Sequence, residues 1–186
     1  MLISRLSPAE YAGKRFVAEY ETGGYYDIAG TAQGFSLTYR TFPALKKMSF
    51  DSCLFEEWLE CPVAFGAFAE GALVGYVEGT TEAWNNRYRI SNICVLRREK
   101  RRRGIGTLLM DAILGEAEKS GARMVVLETQ SCNERAISFY RKNGFSLIGF
   151  DLYAYTNQDP ERHEIRIEMG KKLERIHGEE DGIQGK

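Results

Sequence analysis

The fold is decided by the stretch RISNICVLRREKRRRGIGTLLMDAILGEAEK, residues 89–119, and by its continuation NERAISFY at residues 133–140. Residues 88–96 are largely apolar, as in a strand that is buried on both faces. Residues 104–119 place their apolar side chains on one stripe, which predicts an amphipathic helix. A second apolar strand and a second helix follow within residues 124–143. This order predicts a right-handed parallel crossover at the centre of the chain.

The loop between the first strand and helix has basic residues and two glycines: Arg101, Arg102, Arg103, Gly104, Ile105 and Gly106. Glycines at a helix start let an anion approach backbone N–H groups that have no intrahelical partner, and the helix dipole favours negative charge there. The arginines add charge-assisted contacts. The loop is not a P-loop, because the lysine motif is absent, and Leu109 replaces the third glycine of a dinucleotide fingerprint. The alternative is a solvated basic turn that only caps the helix.

Charge is distributed unevenly along the chain. Residues 97–103 contain six basic residues and one acidic residue, a net charge of +5. Because the whole chain has a formal charge of -1, the remainder sums to -1 - 5 = -6. A local anion site on an acidic body fits this distribution better than general polyanion binding. A nucleic-acid-binding module would show salt-sensitive binding to DNA or RNA, but the basic cluster lacks interleaved aromatic residues, so we expect no nucleic-acid partner.

Length and composition are those of an ordinary globular protein. The 186 residues fit one domain, predicted over residues 1–173, with a flexible polar tail at 174–186. The four cysteines form no C-x-x-C pair, and with two histidines they give no zinc spacing, so we expect no metal. Cys94 and Cys132 are predicted to be reduced core thiols in a cytoplasmic protein. Residues 1–5 do not begin a signal peptide, and no apolar run reaches the roughly 18 residues of a membrane span.

The N-terminal half is predicted to be mixed. Apolar spacing predicts a helix over residues 9–20, and Asp51 is predicted to cap a short helix that reaches Leu59. Between them, a strand is predicted over residues 35–42. A loop at residues 25–27 contains Tyr25, Tyr26 and Asp27. These three residues could form an aromatic, acidic wall for a cation, or the tyrosines could simply pack near the surface.

The remaining elements are predicted to be strands. Residues 63–80 read as a hairpin, and residues 145–155 and 164–169 read as a closing antiparallel pair. The residues predicted to share one face of the 88–96 strand are Tyr88, Ile90, Asn92, Cys94 and Leu96. These elements predict a mixed sheet in a layered α/β domain. Because its hairpins are antiparallel, the domain can also be classed as α+β.

Two motifs resemble a known family. Arg101-x-x-Gly104-x-Gly106, followed by Asn133-x-x-Ala136-x-x-Phe139-Tyr140, is similar to the GNAT superfamily of acyl-CoA-dependent N-acetyltransferases. Residues 127–133, 148–151 and 25–27 resemble the streptothricin acetyltransferase branch, which acetylates an amine of the antibiotic's β-lysine part. The resemblance implies a single GNAT-like domain with a mostly antiparallel sheet of about seven strands and about four helices. Homodimers are common in the superfamily, which by analogy implies a homodimer here.

The resemblance implies acetyl-CoA as co-substrate, with no metal. The basic loop would hold the pyrophosphate, the end of the first strand would pair with the pantetheine amides, and a bulge there would offer an N–H to the thioester oxygen. The residues implied in cofactor binding are Ile93, Cys94, Val95, Leu96, Arg101, Arg102, Arg103, Gly104, Ile105, Gly106, Thr107, Asn133, Ala136, Phe139 and Tyr140. Val95 to Arg101 is one residue longer than the usual spacing, so either Leu96 takes the usual valine place or the loop bulges.

The resemblance also implies that Tyr140 is the general acid toward the leaving thiolate. A phenol with a pKa of about 10 is protonated at neutral pH and can donate; the alternative is a core aromatic. The ammonium of the acceptor must lose a proton, directly or through water. Glu128, at the end of a buried strand, is the first candidate base because burial favours a protonated carboxylate, and Glu78 is the second. The residues predicted to bind substrate are Tyr25, Tyr26, Asp27, Glu78 and Asp151.

The sequence therefore predicts acetyl transfer to a small cationic amine, with streptothricin as the first candidate, by direct attack in a ternary complex. The acceptor could instead be another polyamine, an aminoglycoside or a protein amine. A CoA-binding regulatory module without catalytic activity is the further alternative.

Overall fold

A mixed sheet forms the centre of the computed structural model, which describes residues 1–96 and 104–174. Its seven strands lie in the order β1-β4-β5-β6-β7-β9-β8, and β2 and β3 form a separate two-stranded ribbon. The elements are β1 (Leu2–Arg5), α1 (Pro8–Tyr11), β2 (Arg15–Thr31), β3 (Gly34–Cys53), β4 (Val63–Ala69), β5 (Ala72–Glu82), β6 (Arg87–Val95), α2 (Ile105–Lys119), β7 (Met124–Gln130), α3 (Glu134–Lys142), β8 (Ser146–Asp151), α4 (Asp159–Arg162) and β9 (Arg166–Lys172). The predicted fold class is confirmed.

The predicted parallel crossover is β6-α2-β7. The two strands pair only from Arg87–Ile90 to Met124–Leu127, although β6 continues to Val95 and β7 to Gln130. Helix α2 buries Leu109 and Ile113 completely against the sheet. Because the strands stop pairing before they end, a gap opens between their C-terminal halves. The ribbon and helices α2 and α3 line this gap.

A β-bulge in β6 corrects the predicted assignment of side chains to faces. Glu78 pairs with Asn92 and Gly79 pairs with Ile90, so Ser91 is an extra residue in β6. An extra residue moves every later side chain to the other face of the sheet. Tyr88 and Ile90 therefore share the core on the α2 side with Ile93 and Val95, whereas Cys94 and Leu96 pack on the opposite side. The prediction that Tyr88, Ile90, Asn92, Cys94 and Leu96 share one face is wrong.

The long β2–β3 ribbon replaces most of the first helix predicted in the N-terminal half, and bends and turns follow β3 where the second helix was predicted. Helix α1 ends at Tyr11, and Gly13 then takes a left-handed φ of 74°. Tyr25, Tyr26 and Asp27, predicted in a loop, lie in β2, and Asp51 lies in β3 and caps no helix. The apolar residues of 11–20 match a helical repeat, but a distant strand, β3, pairs with this segment and its tertiary contacts override the local spacing.

The other predicted strands are confirmed. The β4–β5 hairpin turns at Glu70 and Gly71, whose φ values of 54° and 76° are those of the type I′ turns that suit a two-residue connection. Strands β8 and β9 form the closing antiparallel pair. Cys94 and Cys132 are buried free thiols. The domain boundary at 173 stays a prediction, and the predicted tail lies outside the described residues except for Glu174. Of the helices described, none has the length and apolarity to cross a bilayer.

Candidate active site

A cleft of about 1200 Å³ opens where β6 and β7 diverge. Its volume exceeds the roughly 300–1,000 Å³ of typical pockets for one small ligand, so it has room for two reactants. The elements that line it are β6, β7, the end of the ribbon where β2 begins and β3 ends, the start of α2 and one side of α3. Among the lining residues are Ala18, Glu19, Tyr20, Phe50, Asp51, Ser91, Asn92, Ile93, Cys94, Val95, Gly104, Ile105, Gly106, Thr107, Glu128, Gln130, Asn133, Ala136, Phe139, Tyr140 and Tyr155.

The N-terminus of α2 contributes a backbone site for an anion. Gly104 is its N-cap, with a left-handed φ of 78° and no capping side chain. The N–H groups of the first turn have no intrahelical partner, so they can bind an anion instead. A Cβ at Gly106 would lie 3.3 Å from the Phe139 ring of α3, so a side chain here would fill the narrow space between the two helices. Arg101, Arg102 and Arg103 lie outside the described residues.

The edge of β6 presents alternate backbone groups to the cleft. The N–H of Leu96 donates to the Val74 carbonyl at 2.9 Å, so the N–H groups of Leu96 and Cys94 point toward β5. That of Ile93 consequently points toward the diverging edge, where an extended amide chain can pair with it. Leu96 does not line the cleft. The predicted bulge lies at Ser91, before the segment Ile93–Leu96 in which it was expected.

Tyr140 lies where α3 meets both the core and the cleft. The side chain is 7% exposed, and its ring packs near Phe139 and Phe145. Burial raises the pKa of Tyr140, and nearby Cys94 raises it further, so the phenol stays protonated well above neutral pH. The two interpretations of this residue are compatible, since a core aromatic can present its hydroxyl to a cleft. Asn133 caps the same helix by accepting the N–H of Ala136 at 3.3 Å.

Glu128 is less buried than the sequence suggested. It lines the cleft, but its side chain is 36% exposed and lies 3.3 Å from Arg166 and 4.0 Å from Arg89. Arg89 also pairs with Glu82, and Arg166 with Glu168. A row of alternating charges therefore crosses four strands through Glu128. Its role as a general base stays a prediction.

Glu78, the second predicted carboxylate, is fully buried beside the bulge and does not itself line the cleft. Its Oε1 accepts the N–H of Phe55 at 2.6 Å, and its Oε2 accepts Ser91 Oγ at 3.0 Å and Asn92 Nδ2 at 2.9 Å. Both of these side-chain donors belong to residues of the cleft lining.

The other residues predicted to bind substrate lie outside the cleft lining. Tyr25 stacks on His163 at 3.8 Å between ring centroids, and the Tyr26 hydroxyl accepts a hydrogen bond from Arg141 at 2.9 Å. Asp27 forms a 2.7 Å ion pair with Arg40. Asp151 accepts the N–H of Tyr153. Each has a local structural contact, and their role in substrate binding stays a prediction.

Sequence reasoning missed the residues that the ribbon and the 152–158 loop bring to the cleft. They are Glu19, Tyr20, Phe50, Asp51 and Tyr155. The Tyr20 hydroxyl donates to Gln130 Oε1 at 3.0 Å and lies 3.4 Å from Cys132 Sγ, which anchors β2 to the end of β7. The only sequence signal was an acidic residue beside an aromatic one at 19–20 and at 50–51. Their meeting depends on a strand pairing that local patterns do not specify.

Glu134 fastens the ribbon to the first turn of α3. One oxygen of its carboxylate accepts the N–H of Gly23 at 2.8 Å, and the other accepts the hydroxyl of Tyr39. The N–H of Tyr26 also donates to the Ser131 carbonyl at 3.0 Å. The ribbon is thus attached directly to the helix that contains Tyr140. These contacts fix the position of the ribbon side of the cleft relative to the α3 side.

Asp159 holds the loop that contains Tyr155, and its replacement by asparagine should show a defined pH dependence. Burial raises the pKa of Asp159, but hydrogen bonds from Tyr155 and Thr156 outweigh it, so the net pKa is lowered. A lowered pKa means that the stabilisation is complete above the unfolded value of about 3.9 and is lost as pH falls through the folded value. We expect Asp159→Asn to cost about 1–3 kcal/mol at neutral pH.

Thermal unfolding of both proteins between pH 7 and pH 3 measures this effect. The difference in Tm should stay constant down to about pH 4 and then narrow. A difference that grows as the pH falls would contradict the assignment.

Comparisons with known proteins agree with this geometry. Residues 31–145 match the acetyltransferase (GNAT) family. A streptothricin acetyltransferase of Escherichia coli is 31% identical over 130 residues, which cover 70% of this chain and 72% of that protein. The crystal structure of nourseothricin acetyltransferase superposes with a TM-score of 0.74 at 25% identity, covering 93% of this chain and 98% of that one. A Bacillus anthracis protein solved with acetyl coenzyme A gives 0.70 at 21% identity, covering 93% and 97%.

Proposed function

The chain belongs to the acetyltransferase (GNAT) family, and from this premise we propose that it transfers acetyl from acetyl-CoA to an amine of a small cationic acceptor, with streptothricin as the first candidate. The observation that carries the proposal is one continuous cleft with two chemically different linings. The α2 N-terminus and the open edge of β6 suit a phosphorylated, amide-containing thioester. The ribbon and β7 supply carboxylates and aromatic rings, which suit an ammonium group.

The first lining fits acetyl-CoA through backbone groups. The N–H groups of the first turn of α2, after Gly104, would bind the pyrophosphate, and the outward N–H of Ile93 would pair with a pantetheine amide. Asn133, Ala136 and Phe139 line the same space from α3. The same fold holds acetyl coenzyme A in the Bacillus anthracis protein.

The second lining fits a cationic acceptor through charge. Glu19, Asp51 and Glu128 bring three carboxylates to the cleft, and Tyr20 and Tyr155 flank them with aromatic rings. Carboxylates and aromatic faces both attract an ammonium ion, and they do so more strongly in a partly desolvated cleft. The similarity of this chain to the streptothricin acetyltransferase of Escherichia coli and to nourseothricin acetyltransferase supports a streptothricin-type antibiotic as the acceptor, rather than an aminoglycoside or a protein amine.

Tyr140 supplies the proton that the departing thiolate needs. The neutral amine attacks the thioester carbonyl carbon while both reactants occupy the cleft, a C–N bond forms, and the C–S bond breaks. The buried Tyr140 phenol is protonated under these conditions and donates its proton to sulfur. Direct attack requires both reactants to be bound together, which the volume of the cleft allows.

Thiol release from acetyl-CoA tests the proposal. The purified chain is incubated with acetyl-CoA and a panel of amines: streptothricin, spermidine, an aminoglycoside, a lysine-containing peptide and a neutral monoamine. We expect the highest kcat/KM with streptothricin, and a fall in kcat/KM with added salt because carboxylates attract the acceptor. No turnover with any amine would contradict the function, and preference for another polyamine would contradict only the acceptor. The predicted homodimer and the absence of nucleic acid stay predictions.

A further inference from the structure

Glu78 is a buried carboxylate that the proposed reaction leaves without a role. Its side chain is 0% exposed, yet its oxygens accept three hydrogen bonds, from Phe55, Ser91 and Asn92. Taking a carboxylate out of water is costly unless it is paired or hydrogen-bonded. If Glu78 only filled space in the core, an apolar side chain of similar size would do so at a lower cost in free energy.

All three donors to Glu78 are neutral. Within the two described segments, no lysine, arginine or histidine forms a salt bridge with it. The negative charge of Glu78 instead acts on the phenols of Tyr76 and Tyr88, which are themselves buried, and it helps to raise their pKa values. Glu78 thus differs from Glu128, which forms ion pairs with two arginines. A carboxylate without a cationic partner can accept a proton without breaking an ion pair.

The bulge connects Glu78 to the cleft. Ser91 is the extra residue of β6, and its hydroxyl donates to Glu78 Oε2 at 3.0 Å while the residue also lines the cleft. A hydroxyl that donates one hydrogen bond still has lone pairs that can accept another. Ser91 can therefore accept a hydrogen bond from a group in the cleft while it donates to Glu78. The bulge closely precedes Ile93, whose N–H points toward the diverging edge.

We propose that Glu78 is the proton acceptor of the reaction and that Ser91 relays the proton to it. The ammonium of the acceptor passes one proton to Ser91 Oγ as the Ser91 hydroxyl proton moves to Glu78 Oε2. The freed lone pair then attacks the thioester carbon, and the leaving sulfur takes the Tyr140 proton. The second proton on nitrogen returns to the Tyr140 oxygen, and Glu78 releases its proton to solvent before the next turnover. This inference rests on the proposed function.

Asn92 has a positioning role in this arrangement. Its Nδ2 donates both to Glu78 Oε2 and to the Cys53 carbonyl at the end of β3. The N–H of Phe55, which has a left-handed φ of 55°, donates to the other carboxylate oxygen. The carboxylate is therefore held between the end of the ribbon and the bulge, with Oε2 directed at the residue that reaches the cleft.

The pH dependence of kcat/KM distinguishes a proton acceptor from a structural residue. The variants are Glu78→Gln and Ser91→Ala, with Ser91→Thr as the matched control that keeps a hydroxyl, and Glu128→Gln as the competing base. At neutral pH we expect Glu78→Gln to lower kcat by about 100-fold or more, with KM little changed. Its kcat/KM should then rise about tenfold per pH unit toward the pKa of the amine, about 10, because hydroxide replaces the missing base. The wild-type profile should flatten at a lower pH.

Ser91→Ala should reproduce the steep profile, and Ser91→Thr should restore most of the wild-type rate. Ser91→Ala keeps the test decisive even if Glu78→Gln does not fold, which thermal unfolding will show. A wild-type profile in both Glu78→Gln and Ser91→Ala, or a steep profile in Glu128→Gln alone, would overturn the inference while leaving the proposed function intact. An inactive wild-type chain across the whole amine panel would overturn both.

Discussion

Replacement of Tyr140 by phenylalanine is expected to lower kcat by about 100-fold or more, the usual contribution of a positioned general acid. The ring keeps its contacts with Phe139 and Phe145, so the core should be preserved and the KM for acetyl-CoA should change little. The loss would be specific to the step in which the C–S bond breaks. Steady-state kinetics over a range of acetyl-CoA concentrations measure the two parameters separately.

Tyr88 provides a matched control. It is also a buried tyrosine whose hydroxyl has no hydrogen-bond partner in the described chain, but it does not line the cleft. Removing an unpartnered buried hydroxyl is neutral or stabilising, so Tyr88→Phe should leave kcat unchanged and Tm unchanged or higher. If Tyr140→Phe and Tyr88→Phe behave alike, Tyr140 has no acid role and is only a core aromatic.

Gly106→Val is expected to raise the Kd for CoA at least about tenfold, corresponding to about 1.4 kcal/mol of lost binding. A Cβ at this position already lies 3.3 Å from the Phe139 ring, so the larger valine must displace that ring or enter the cleft. Either outcome disturbs the N-terminal turn of α2 and the α3 lining together. Isothermal titration calorimetry of the free chain with CoA measures this Kd without turnover.

The matched control for this variant is in the same helix. A Cβ at Gly115 would have no neighbouring side chain within 4 Å, so Gly115→Ala should be accommodated without a clash. Alanine in place of glycine within a helix typically adds about 1 kcal/mol of stability. We expect a higher Tm and unchanged CoA affinity. Unchanged CoA affinity in Gly106→Val would show that the α2 N-terminus does not bind the nucleotide.

The central part of the fold could be predicted because local patterns there agree with tertiary structure. The stripe of α2, the apolar run of β6 and the Glu70-Gly71 turn each specify one element without reference to distant residues. The ribbon could not be predicted in this way. Residues 11–20 satisfy a helical repeat, and only pairing with β3, more than twenty residues further along, makes residues 15–20 a strand.

The residues of the site also fall into two groups, those that local patterns could predict and those that they could not. Residues near Gly104 and Tyr140 could be identified because a short motif places them on elements whose geometry is regular. The cleft residues Tyr20 and Asp51 come from opposite strands of the ribbon, so they meet only in the folded chain. The bulge at Ser91 is a further case, since one extra residue reverses the faces of β6 without any local signal.

Mass spectrometry of the acceptor after reaction tests the central claim most directly. The wild-type chain, acetyl-CoA and streptothricin are incubated together, and free thiol and acceptor mass are followed in the same samples. We predict that the acceptor gains an acetyl group on an amine in equal amount to the thiol released, and that Tyr140→Phe slows both equally. Thiol release without an acetylated acceptor would show hydrolysis of the thioester and would contradict acetyl transfer to an amine in this cleft.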